Sequence, residues 1–167
     1  MSGAEPAHAP GRADARHWAR SAAVQMLYQW EIGRLHVDQV AARFFSEHVE
    51  PVEDEGEMTV PVPDVPPAQR PFAIELFRGV VSHVSRLDPL IAAAAEHWRL
   101  ERMAVVDRLI LRLAVYEFLY RPETPGRVVI NEALELARTF STEDAVRFIN
   151  GLLDAVRKSL AASEDAK

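Results

Sequence analysis

The chain has 167 residues, 49% hydrophobic and 26% charged, with 11 prolines, 7 glycines and no cysteine, which predicts one globular domain with its own core. The missing cysteine excludes disulfides, thiolate zinc sites, iron–sulfur clusters and a cysteine nucleophile, and it fits a reducing cytoplasm. Net charge is −6, yet seven acids from Glu47 to Asp64 lie between Phe45 and Arg70 with no Lys or Arg among them, and the remainder is nearly balanced, 19 basic to 18 acidic. A modest basic patch therefore survives near the start of the chain, where local potential matters more to a polyanion than the total does. No apolar run approaches the roughly 20 residues of a membrane helix, and Met1 to Trp18 lacks the apolar stretch of a signal peptide.

Residues 1–13 are Ala, Pro, Gly and scattered charges, too poor in apolar groups to offset ordering entropy, and read as a disordered leader. From Asp14, Ala19, Ala22, Ala23, Met26, Leu27 and Trp30 recur at helical spacing up to Gly33. A shorter pattern of Val40, Ala41, Phe44 and Phe45 follows Asp38. It ends in the acidic, proline-rich stretch 49–67, where five prolines discourage helix and central strand alike and a connecting loop is expected. Helical spacing resumes with Ala73, Leu76, Phe77, Val80, Val81 and Val84. Asp88-Pro89 then reads as an N-cap with a first-turn proline, which predicts a fresh helix carrying Leu90, Ile91, Ala94, Ala95 and Trp98. Met103, Val106, Ile110, Leu113 and Ala114 predict a central helix that stops at Arg121-Pro122. After Pro125-Gly126, Ile130, Ala133, Leu134 and Ala137 form another stripe. Ser141-Thr142-Glu143-Asp144 reads as an acidic capping box opening a last helix with Phe148, Ile149, Leu152, Leu153, Val156 and Leu160, and residues 163–167 read as a loose tail. The expectation is an all-α, compact bundle of about seven helices in a single domain over 14–162.

The six histidines fall on separate segments without metal-ligand spacing, and the glycines stand singly, so neither a metal site nor a phosphate-cradling loop is predicted and no cofactor is implied. Glu117 on the central helix is either a carboxylate of raised pKa or a structural group bonded to a neighbouring Arg or to the backbone. Asn131 and Asn150, each following an isoleucine, suggest buried amides tying helix ends together. Arg12, Arg16 and Arg20, four apart, fall on one side of the first helix, with His17 and Trp18 beside them. They form an RNA-facing strip or a solvated face paired with local acids. Phe148, next to Arg147, is either core or a ring on which a base stacks. Exposed aromatics such as Trp18 or Trp98 would allow a homodimer.

Four ordered blocks carry a resemblance: Ala19–Trp30 (ARSAAVQMLYQW), Val106–Glu117 (VDRLILRLAVYE), Val129–Ala137 (VINEALELA) and Phe148–Asp154 (FINGLLD). Together they resemble the bacterial NusB family of transcription antitermination factors. The resemblance implies an all-helical, non-enzymatic protein that pairs with ribosomal protein NusE, binds boxA RNA of ribosomal RNA leader transcripts, and joins an RNA polymerase antitermination complex. It implies RNA contacts at Arg16, Arg20 and Phe148, and NusE contacts at Tyr28, Asp107 and Asp144. The chain departs from the family pattern where relatives carry contiguous arginines against Arg16-His17-Trp18, and a Glu against Asp107. Two other readings compete: the helical RNA-targeting domain that precedes the catalytic domain of ribosomal RNA cytosine methyltransferases, and a protein–protein scaffold without RNA binding. Three arginines neutralising one phosphate each would give a salt slope of only about −2 on a single strand. That electrostatic grip is shallow and calls for a second protein to extend it.

Overall fold

The computed structural model describes residues 12–46, 64–96 and 99–166, including all side chains in those ranges except those of Arg12 and Ala13. Six α-helices run in order: α1 Arg12–Gly33, α2 Val37–Arg43, α3 Arg70–Ala95, α4 Val105–Tyr120, α5 Gly126–Phe140 and α6 Glu143–Asp165. Single 3-10 turns lie at Pro67–Gln69 and Leu100–Arg102, and no strand occurs among the described residues. The all-α expectation holds, with six α-helices among the described residues where about seven were expected. The leader 1–11, most of the acidic stretch (47–63) and Trp98 lie outside the described residues, and α1 takes in Arg12 and Ala13.

The helix expected to start at Asp88-Pro89 is instead the second half of α3, which passes through Pro89 without a break. An interior proline removes one main-chain hydrogen bond and favours a stop. Here Leu87 and Ile91 on either side are fully buried, and Asp88, rather than capping, accepts bonds from Arg112 Nε and Nη2 at 2.8 and 2.9 Å. Packing of α3 on α4 overrides the local signal.

The α4 helix is the axis of the molecule. It packs against α1, α3, α5 and α6, and every residue from Leu109 to Glu117 is buried, as expected of a helix enclosed on all sides. The α5 and α6 helices form an antiparallel hairpin beside it. Thr142, not Ser141, caps α6: its Oγ1 accepts the Ala145 N–H at 3.2 Å. The Ser141 hydroxyl donates instead to Asp107 Oδ1 of α4 at 2.6 Å. The α6 helix also continues to Asp165, through the expected tail, because Ala161-Ala162-Ser163-Glu164 contains neither glycine nor proline to end it.

Candidate nucleic-acid interface

At the N-terminal end of α1 the three-arginine strip does not form as the spacing predicts. Arg20 is only 3% exposed. Its guanidinium lies against Glu117 of α4, with Nε 3.1 and 3.0 Å from the two carboxylate oxygens and Nη2 2.8 Å from Oε1. From Ala19 to Leu27 every residue of α1 is buried, so the side shared by Arg16 and Arg20 passes from solvent into the core within one turn. Of the two readings of Glu117, the paired carboxylate is the one observed, and both Arg20 and Glu117 are structural groups. The side chain of Arg12 lies outside the described residues.

Arg16, half-buried, stays at the rim. Its guanidinium carbon is 5.5 Å from the centroid of the Phe72 ring, and it has no acidic partner among the described residues. Arg20 and Arg121 stand over the same ring at 5.6 and 5.0 Å, a cation–π cluster that joins α1, α3 and the end of α4. Arg121 is anchored by Glu75 at 2.5 Å and Glu123 at 2.8 Å. His17 Nδ1 lies 2.8 Å from Glu132 Oε2 of α5, and Glu132 is also 3.9 Å from Arg20. The bond to Glu132 raises the His17 pKa above its ordinary value against the opposing effect of partial burial. Trp18, 41% exposed, meets the His17 ring edge-on at 5.4 Å. This rim therefore offers one unpaired guanidinium, an indole and a titratable imidazole. Phe72 and Arg121 were not legible as members of it, since their partners in α1 are more than fifty positions away in sequence.

The other predicted residues gather at the opposite end of α1. Tyr28 is half-buried there, and one turn on, Glu31 accepts a bond from Arg108 Nη2 at 2.9 Å, which brings the end of α1 to the start of α4. Asp107, through Ser141, brings the α5–α6 turn to the same place, and Asp144 is exposed in the first turn of α6. Tyr28, Asp107 and Asp144 thus share one end of the bundle. From Arg16 to Tyr28 is about 18 Å along the helix. Phe148, half-buried one turn after Asp144, packs against the core. Arg147 beside it is exposed and has no acidic partner among the described residues. Asn131 and Asn150 are both exposed, which corrects the expectation of buried amides: each lies next to the buried stripe of its helix, and the isoleucine before it takes the inward position.

The NusB family model matches residues 17–158. The chain belongs to the NusB family. The transcription antitermination protein NusB of Solibacter usitatus is 45% identical over 145 residues, 87% of this chain and 90% of the relative. That of Koribacter versatilis is 43% identical over 152 residues, 91% and 94% of the two chains. Among solved structures, T. maritima NusB matches with a TM-score of 0.68 at 33% identity over 86% of this chain and 90% of that one. A NusB described in complex with NusE and dsRNA shares the fold, with a TM-score of 0.69 at 23% identity over 87% of this chain and 98% of that one.

Proposed function

We propose that the chain is a transcription antitermination factor that binds boxA-type single-stranded RNA of ribosomal RNA leaders together with ribosomal protein NusE and joins an RNA polymerase antitermination complex. The reading assigns it no chemical step and places it in the cytoplasm. None of the described helices is long and apolar enough to cross a membrane. RNA contact is assigned to Arg16, to Arg12 in the turn before it and to Phe148. NusE contact is assigned to the end that holds Tyr28, Asp107 and Asp144. Arg20 supports this interface from within, by holding α1 to α4.

The observation that carries the reading is the guanidinium of Arg16, held at the rim over Phe72 with no acidic partner among the described residues, in a chain that spans nine-tenths of a curated antitermination protein. With Arg20 buried, α1 keeps fewer cations to meet phosphate than its sequence implies, and its share of the salt slope falls below the two units that three would give. The need for a second protein grows accordingly. Sequence preference then comes from unstacked bases meeting aromatic and amide groups, because phosphate contacts do not discriminate.

Titrating labelled boxA RNA and a scrambled RNA of equal length, with and without NusE, tests this. Tight binding of boxA only with NusE present, and poor binding of the scrambled RNA, is expected. Equal affinity for both RNAs in both conditions would refute it.

A further inference from the structure

Gly151 is exposed in the interior of α6, and a Cβ built on it meets nothing within 4 Å. The fold accounts for another helical glycine, Gly79, where a Cβ would overlap the Tyr116 ring. It does not account for Gly151, where alanine would fit and stabilise the helix. A bare position of this kind suits close approach to the main chain by something outside it.

Arg147 and Phe148 precede Gly151 by four and three residues, so the three share one side of α6. The exposed Arg147 has no acidic partner among the described residues, the Phe148 ring lies at the edge of the core, and the exposed amide of Asn150 adjoins the glycine. A cation for a phosphate, a ring for a base and a main chain open to close contact are the elements with which proteins hold unpaired nucleotides. The positive charge of Arg147 is complementary to a phosphate, which points to a nucleic acid at this strip. Asp144 and Asp154 flank the strip with negative charge and confine it to roughly one or two helical turns, on the order of 5–10 Å. Building on the RNA-binding reading above, we infer that Gly151 is the point of closest approach of the RNA backbone to α6, between the groups that take its phosphate and its base.

The test uses the full chain with NusE and boxA RNA, comparing the parent with Gly151→Ala and Gly151→Gln. Three quantities are read: Tm, affinity for NusE without RNA, and affinity of the NusE complex for RNA. The expected pattern is a Tm a few degrees higher for Gly151→Ala, unchanged NusE affinity for both variants, and RNA affinity down about threefold for Ala and about tenfold for Gln. A destabilised fold cannot produce that pattern, since stability rises as binding falls. RNA affinity equal to the parent in both variants overturns the inference while leaving the RNA-binding reading intact. A loss confined to NusE affinity also overturns it, by giving the strip to the protein partner. A parent complex that fails to bind boxA RNA removes the reading and the inference together.

Discussion

The Arg20–Glu117 pair spans 97 positions of sequence and has almost no contact with water. Breaking one side of such a pair strands a buried charge, so Glu117→Ala should cost about 3–5 kcal/mol, measured by urea unfolding. Replacing both members, as Arg20→Met with Glu117→Leu, should recover most of that loss, because burying two charges is itself costly. His17 gives a pH signature. The hydrogen bond to Glu132 raises its folded pKa above the ordinary histidine value, so its contribution is complete below that ordinary value and fades as pH rises through the folded pKa. The Tm gap between the parent and His17→Gln should be widest below the ordinary histidine value and narrow as pH rises above it; a gap that widens on raising pH contradicts the assignment. At this scale the sequence was legible only in part. Four-residue spacing correctly places Arg16 and Arg20 on one side of α1, but it carries no information on where solvent ends and α4 begins, and nothing local marks Glu117 as the partner.

The helices themselves were largely visible as apolar stripes, because burial imposes its period on the sequence whatever the partner. Their ends were less so. Asp88-Pro89 has every local mark of a helix start, yet the ion pair with Arg112 and the burial of Leu87 and Ile91 carry α3 through it. Ser141 and Thr142 are both chemically fit to cap α6, and the choice between them turns on Asp107, which takes the serine hydroxyl. Contact between α3 and α4 depends on Gly79, over which the Tyr116 ring lies, itself 5.1 Å from Tyr120 and 5.9 Å from His83. Gly79→Ala should therefore destabilise the protein by about 1–3 kcal/mol, read as a lowered Tm, although the same change normally stabilises a helix. An unchanged or higher Tm would show that Tyr116 moves aside freely.

Across the whole molecule, α1 spans the two proposed contact regions, with the Arg16 rim at its start and the end shared by Tyr28, Asp107 and Asp144 about 18 Å away. Four sequence blocks were enough to place the chain in its family, since they hold the buried stripes of α1, α4, α5 and α6. What they could not show is that α4 draws the two ends together, with Glu117 holding Arg20 at one and Arg108 holding Glu31 at the other. On the proposed function, this helical bundle presents a few cations to RNA, and NusE extends the surface they begin.

The most direct test is the affinity of the chain–NusE complex for boxA RNA as salt is varied, for the parent and for Arg16→Gln. The substitution gives up the contact of Arg16 with Phe72 and should lower Tm only slightly, a cation–π contact at the rim being worth about 0.5–1 kcal/mol. The account predicts weaker binding and a log–log salt slope shallower by about 0.7, the loss of one phosphate contact on a single strand. An affinity and slope identical to the parent's would contradict it.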